Sequence, residues 1–570
     1  MSTGVFNTSS SKLWVKLQRV FSKEIKEVYK KLRSTKYNYD NFMSILIGEQ
    51  IDCIPEALYN LDCQTKYLAF GKEYLHMLHG SRKEHLKRWV KERILFLDTV
   101  WEYDADTASS ITLRANKQGA VYLDIQTYSP MYFKVVWRNN EEQILKVNRN
   151  QTVRFSSTLP TSTDQEVIVY AAKYIKDLGD LTNLNPSSML IGNATRLTKL
   201  KCTSAALLNV KVDGMSFLRE LDLTNCTALG SGAGGANVID VSQMTSLRVL
   251  KLTGTAITSI ITPQNGCNLE KIYYPNNIQN IDLRNMGNLK EINVPYSASS
   301  SNPIVAANLL NFTVINCPKL ITLGNNLYTF KPLTVCENIY IENSFHNINK
   351  FTFDSFKILK SITLKNINNT SELNFRDYFP KTTENIKISD CSNLTTLKIY
   401  QSFNEKTIID ISKNPKLTSV TLCSSLLGDL LAKKILLSPS VTEICRASAR
   451  NDRPCKINVK SIFCPEDTEH DDDFEGIDLK QEFTEFFNYK TYGIYINDVP
   501  YVKELHLNST SCYGLFNGNT SLTKVDILTL GENVVDCESM FYGCSNLTDI
   551  GDFKIPKNVT KCNSMFSGCN

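Results

Sequence analysis

The segment LRELDLTNCTAL, residues 218–229, sets apolar residues at Leu218, Leu221 and Leu223, a small half-polar residue at Cys226, and Leu229. The spacing L-x-x-L-x-L-x-x-C/N-x-x-L constrains the fold more than any other feature of the chain. Its L-x-L pair puts alternate side chains on one face of a short strand, and the Cys or Asn falls where the chain turns inward. A single copy cannot bury its apolar face, so copies must stack, and about three or more are needed for a stable array. Nothing in the phrase is chemically reactive; it specifies a shaped surface.

Weaker copies extend on both sides. Leu207, Val210 and Val212 precede it, and Leu247, Leu250 and Leu252 follow. Further copies run through Leu269, Ile272 and Tyr274, then Ile278, Ile281 and Leu283, and Leu359, Ile362 and Leu364. Leu394, Leu397 and Ile399 are answered by Leu417, Val420 and Leu422. Leu207, Leu218 and Leu229 are eleven apart, a step that holds one strand and one turn. A full coil is therefore expected to take about 22 residues, with a strand on each side and loops in the longer spacings. No helix is indicated between copies, so the expectation is a β-rich leucine-rich-repeat solenoid.

From residue 501 a stricter repeat takes over. Cys512, Cys537 and Cys562 are 25 apart, as are Phe516, Phe541 and Phe566. The last unit stops at Asn570, one turn before its expected leucine, and solenoids normally end in capping units. The natural chain is therefore expected to continue beyond Asn570. Between the arrays, residues 437–500 read as an insertion. Cys445, Cys455, Cys464 and His470 are ten, nine and six apart, with no close pair to chelate first, and this weighs against zinc. Asp471, Asp472, Asp473 and Glu475 lack the alternate-position ligands and turn glycine of a calcium loop, so a solvated acidic loop is expected.

The first two hundred residues have other periods. Residues 12–33 carry a one-sided stripe of Leu13, Leu17, Val20, Phe21, Val28 and Leu32, opposite a face with eight Lys or Arg. This predicts an amphipathic helix whose basic side is either solvated or set against nucleic acid or an acidic partner. Ser81 with Glu84 forms a capping box opening a second helix over 81–97, lined by Leu86, Val90, Arg93 and Leu97. His76, His79 and His85 lie near Cys53 and Cys63 without a ligand spacing. From Ser110, six segments alternate apolar and polar residues: ITLRA, AVYLDIQTY, YFKVVWR, QILKVN, QTVRFS and EVIVYAA. Six short strands predict a small antiparallel sandwich or barrel. The fold class is thus multidomain α+β. It comprises a helical assembly region over 1–104, an antiparallel β domain over 105–180, an irregular solenoid over 181–436, the insertion over 437–500, and the 25-residue array over 501–570.

Composition narrows the function. A net charge of +5 on 570 residues is too small to imply nucleic-acid binding by itself. There is no signal-like apolar run at the N-terminus and no stretch of about eighteen apolar residues, so no membrane insertion is expected and a reducing cytoplasm is the expected site of synthesis. The seventeen cysteines fall at repeat positions without a C-x-x-C pair, which favours core thiols over a disulfide framework. No phosphate loop, dinucleotide fingerprint, zinc-protease motif or nucleophile elbow occurs. The glycine cluster over 230–235 has no following Lys or helix and reads as a loop. No catalytic residue, cofactor or metal ligand is assigned, and enzyme activity is not expected.

Three stretches carry resemblances. HGSRKEHLKRWVKERILFLD, residues 79–98, resembles a segment of structural proteins of short-tailed phages. TYSPMYFKVVWRNNEEQILKVNRNQTVRFS, then EVIVYAAKYIKDLGDLTNL, then a leucine-rich run from Thr195, is similar in order to the tail-tip, or muzzle, proteins of crAss-like bacteriophages. That similarity spans residues 10–230. MFYGCSNLT, residues 540–548, resembles the BspA-like leucine-rich repeats of bacterial and phage surface proteins. The resemblances imply a virion structural protein in the tail, made in the host cytoplasm. Its partners would be copies of itself in a homo-oligomeric ring, other tail and collar proteins, DNA in the exit channel and a bacterial surface receptor. The alternative is a surface adhesin that uses its repeats to bind host protein or glycan.

Overall fold

A computed structural model describes residues 20–44, 82–138, 141–231, 237–263, 267–294, 309–320, 322–323, 336–346, 356–375, 379–399, 403–424, 429–447, 455–465, 473–486 and 494–570. Cys53, Cys63, His76, His79, Ser81, His470, Asp471 and Asp472 lie outside the described residues, as do 12–19 and most of the glycine cluster. The chain divides into two compact units, Met1–Leu247 with Gly254–Ala256, and Arg248–Thr253 with Ile257–Asn570. Most of the described structure is β; its α-helices lie within residues 20–101. No described helix is long and apolar enough to cross a membrane.

In the first unit, α1 (Ser22–Thr35) and α2 (Tyr39–Phe42) pack on α3 (Arg82–Trp101). The buried stripe of α1 differs from the one its apolar residues suggest. Val20 and Val28 are 71% and 58% exposed, whereas Tyr29 is buried, with Ile25 packed beside it against Phe96, Val100 and Trp101. The reason is polar. The Tyr29 hydroxyl donates to Asp98 Oδ1 at 2.7 Å and the Arg33 guanidinium donates to both Asp98 oxygens at 2.9 and 3.2 Å. Lys26 meets Glu102 at 2.8 Å. Two members of the basic face are therefore consumed within the unit. Burial opposes the charge of Glu102, but the Lys134 and Lys26 ammonium groups outweigh it and hold the carboxyl below its ordinary range.

All six alternating segments are strands: β1 (Ser110–Ala115), β2 (Gly119–Thr127), β3 (Met131–Trp137), β4 (Glu142–Val147), β5 (Val153–Leu159) and β6 (Gln165–Tyr170). They are joined by β7 (Ile175–Asp180) and β8 (Pro186–Leu190). β8, β1, β6, β3 and β4 form one antiparallel sheet, while β5, β2 and β7 form the start of another. The antiparallel part then grades into the solenoid without a linker. β8 pairs in parallel with Asn209–Lys211, and β7 pairs in parallel with Lys199–Lys201, which pairs in turn with Glu220–Asp222. Each sheet thereby becomes one side of the first coils.

In the second unit, parallel strands stack on two sides. Leu250 pairs with Ile272, a step of 22 residues, and Ile272 with Ile292, a step of 20. The opposite side is a sheet of twelve described strands, entered at Asn280–Arg284 and continued by Asn311–Ile315, Asn338–Glu342, Ser361–Lys365 and Asn385–Ser389. Ile281, Phe312, Ile339, Ile362 and Ile386 line up as one buried column. Leu283, Val314, Ile341, Leu364 and Ile388 form the next.

The described strands within residues 437–500 continue the coils rather than interrupting them. Glu443–Ala447 continues the sheet of Ser419–Ser424, and Cys455–Phe463 and Ile477–Phe483 continue the twelve-stranded sheet. The leucine spacing is lost there because strands lengthen and Leu479/Glu482 carries a register shift, not because coiling stops.

The Cys/Asn position of the repeat has a physical meaning. Cys226 Sγ donates to Cys202 O at 3.3 Å, Asn414 Nδ2 to Ile388 O at 2.7 Å, Asn519 Nδ2 to Val499 O at 3.0 Å and Cys544 Sγ to Phe516 O at 3.0 Å. Thiol and amide serve one purpose, donating to a carbonyl of the preceding coil at the inward turn, where an unpaired acceptor is costly. Among the described residues, cysteines at repeat positions such as Cys226, Cys317, Cys391 and Cys544 are thiols outside any disulfide. Cys455 departs from the core-thiol expectation and is disulfide-bonded.

A second ladder follows the strands of the long sheet. Asn285, Asn316, Asn343 and Asn366 all have positive φ, from 45° to 57°, which asparagine tolerates better than other side-chain-bearing residues. Each amide donates to the one before it, at 2.8, 2.9 and 3.1 Å. Asn316→Ala removes two such bonds and leaves Ala at φ 54°. A loss of about 1–3 kcal/mol is expected. Asn316→Gly, free of the backbone strain, should lose less; equal losses in urea unfolding would contradict this account.

Candidate binding face

Of the five five-residue strands from Asn280–Arg284 to Asn385–Ser389, the first four alternate strictly and turn their odd positions outward; in the fifth, Asn385 and Lys387 turn outward while Ser389 is buried. Register converts that alternation into columns. Asp282, Thr313, Tyr340, Thr363 and Lys387 are successive partners down the middle of the face. Asn280, Asn311 and Asn338 form the column beside it, with amide donors at 2.6 and 2.8 Å. Arg284, Ile315, Glu342, Lys365 and Ser389 form the third column.

Charges on this face are matched locally. Arg284 binds Asp282 through two nitrogens at 2.8 and 3.2 Å, Lys365 meets Glu342 at 2.9 Å, and Lys387 meets Asp410 at 3.1 Å. The Tyr340 hydroxyl donates to Glu342 at 2.6 Å. That hydrogen bond, with burial behind it, pushes the tyrosine up and keeps it a neutral donor. Lys365, then Tyr340, hold the Glu342 carboxyl low. The face offers amides, hydroxyls, one aromatic ring and paired charges at the strand spacing of about 4.8 Å. It can recognise a ligand by hydrogen bonding; it holds no activated nucleophile.

Further along the same sheet, the register shift sets Leu479 against Leu505 and Glu482 against His506. Beside this shift lies a pocket of about 370 Å³, lined by Lys480, Glu482, His506, Leu507, Thr529 and Gly531. Irregularities of this kind re-aim side chains in a sheet. His506 Nε2 lies 2.8 Å from Glu504 Oε1.

The spacing of Cys445, Cys455 and Cys464 does not produce a metal quartet. Cys445 lies in the sheet of Ser419–Ser424, whereas Cys455 opens a strand of the opposite sheet. Cys464 follows that strand's far end, about 30 Å away at roughly 3.3 Å per residue. A different constellation escaped the sequence reading: the donor atoms of Glu443, Cys445 and Glu485 lie within 4.8 Å of one another. Glu443 and Cys445 share a strand face, but Glu485 is forty positions away and arrives only through register.

No protein-family model matches the chain, and no curated protein is similar to it in sequence. Among solved structures, it is similar to a leucine-rich repeat protein from Bacteroides ovatus, at 13% identity over 72% of this chain and 82% of that one, with a TM-score of 0.20. It is also similar to the functional domain of InlJ from Listeria monocytogenes, described as including a cysteine ladder. There the identity is 16% over 68% of this chain and 73% of the other, with a TM-score of 0.12. The parallel rungs themselves establish a β-solenoid built on leucine-rich spacing.

Proposed function

We propose that this chain is a leucine-rich-repeat surface protein that binds protein or glycan, with the outward columns of the long sheet as its recognition face. The continuous column of Asp282, Thr313, Tyr340, Thr363 and Lys387 carries the reading. A rigid, repeating row of donors and acceptors suits an extended ligand with repeating polar groups. Its side chains are preorganised by hydrogen bonds, which lowers the ordering cost of binding. The role is one of recognition rather than catalysis.

The test is binding of the full chain to a glycan array and to fixed bacterial cells. Tyr340→Ala combined with Thr363→Glu should lower binding at least about tenfold, the worth of 1.4 kcal/mol, with the melting temperature little changed. Unaltered binding by this variant, or no binding by the native chain, overturns the reading.

A second reading, a tail-tip component of a crAss-like phage, rests on the resemblance of residues 10–230 in segment order alone. In that setting the chain would assemble as a ring with other tail proteins around the DNA exit channel, and the repeats would serve host contact. Stoichiometric detection in purified virions by mass spectrometry supports it, and absence from them excludes it.

A further inference from the structure

We infer that Glu443, Cys445 and Glu485 form a binding site for a zinc-like divalent cation on the outer side of the shorter parallel sheet. The site is separate from the recognition face, and the inference does not rest on it.

Register builds the cluster. Glu443–Ala447 pairs in parallel with Glu485–Phe486, and Glu443 stands directly opposite Glu485. Cys445, two positions on, turns to the same side of the strand as Glu443. All three are half-buried, and their ligand atoms lie within 4.8 Å of one another. Ser419, the register partner of Glu443 on the preceding rung, brings its hydroxyl to 3.9 Å from Cys445 Sγ.

The second observation is how this solenoid treats outward carboxylates elsewhere. Glu372 is matched by Lys398 at 2.6 Å on the same sheet, three coils earlier. On other rungs Glu337 is matched by Lys360, Glu342 by Lys365, Asp410 by Lys387 and Glu291 by Lys271, all within 3.1 Å. At Glu443 the facing position is a second glutamate, and among the described residues no Lys, Arg or His forms an ion pair with either. Like charges directly opposite on neighbouring strands destabilise a sheet. A bound cation supplies the charge that a lysine supplies on the other rungs.

The donor set selects the ion. A thiol beside two carboxylates suits zinc, which accepts sulfur and oxygen together, better than calcium or magnesium, which take oxygen alone. Tetrahedral donors at zinc distances of about 2.0–2.3 Å stand roughly 3.3–3.6 Å apart, so closure needs an inward movement of about 1 Å by flexible glutamates. Binding releases the Cys445 thiol proton to solvent and leaves a thiolate–metal bond. Three protein donors leave the fourth position to water or to a carboxylate or carbonyl of a bound partner.

The experiment uses the full chain under anaerobic conditions, titrated with Co2+ as the probe and then with competing Zn2+. One equivalent should give the visible bands of tetrahedral cobalt and a near-ultraviolet thiolate-to-cobalt transition, both abolished by Zn2+. Cys445→Ser should remove the thiolate transition, and Glu485→Gln should weaken binding by roughly tenfold or more. Cys562→Ser, at an exposed thiol outside the cluster, should leave the spectrum unchanged. Without metal, Glu485→Gln should melt at or above the native temperature, because it relieves the facing charges, and this separates loss of a ligand from loss of fold. A cobalt spectrum that is absent, or that survives Cys445→Ser and Glu485→Gln intact, overturns the site.

Discussion

Replacing Phe541 by alanine is expected to cost about 3–5 kcal/mol, the range for deleting a large buried aromatic side chain. Phe541 is fully buried and is the middle of a column: its ring stacks on Phe516 at 5.4 Å and 11°, and on Phe566 at 5.3 Å and 6°. Phe553 meets its edge at 6.0 Å. The backbone holds the same register, with Phe516 N–H donating to Met540 O and Phe541 N–H to Met565 O, each at 2.8 Å. The truncation therefore opens a cavity in the middle of the stack, between Phe516 and Phe566.

Because each coil contacts mainly its neighbours, the damage should stay local. Hydrogen exchange followed by mass spectrometry should show lost protection in peptides from 512 to 570 and native protection around 311–342. Uniform loss across the solenoid would falsify the nearest-neighbour account. Phe541→Leu keeps most of the volume and should cost appreciably less.

Asp98→Ala should release α1 from α3 at a cost of about 2–4 kcal/mol. The carboxylate accepts from Tyr29 and from two nitrogens of Arg33, and the side chains of Asp98 and Arg33 are only 11% and 18% exposed. Breaking such a pair leaves a guanidinium without its counter-charge and a hydroxyl without an acceptor, both partly out of water. Burial first, then Asp98 itself, push the Tyr29 hydroxyl up, so the tyrosine remains a neutral donor and cannot compensate. Limited trypsin digestion should find Lys30 and Lys31 cleaved faster in the variant, while peptides of β1 to β6 stay protected. Unchanged cleavage would show that the apolar contacts of Tyr29 and Ile25 hold the helix alone.

What was legible in advance followed from local geometry. Alternation along Ser110–Ala115 or Asn280–Arg284 is a property of a strand a few residues long, and L-x-L with an inward Cys or Asn is a property of one turn. The eleven-residue step even anticipated two strands per coil, as the pairing of Leu250 with Ile272 bears out. The misread stretch over 437–500 marks where that logic ends, since longer strands and the shift at Leu479/Glu482 erase the spacing while the coil continues.

Periodicity alone thus determined that LRELDLTNCTAL and its copies stack into a β-solenoid, because each copy must bury its apolar residues against the next. The tertiary structure decided which residues become neighbours. Loop lengths between rungs set register, and register brought Glu485 to Glu443 and Tyr340 between Thr313 and Thr363, while the packing of α1 on α3 brought Asp98 to Arg33 across 65 positions. Period and face are local consequences of backbone geometry; the lateral company a side chain keeps depends on how much chain is spent between one rung and the next.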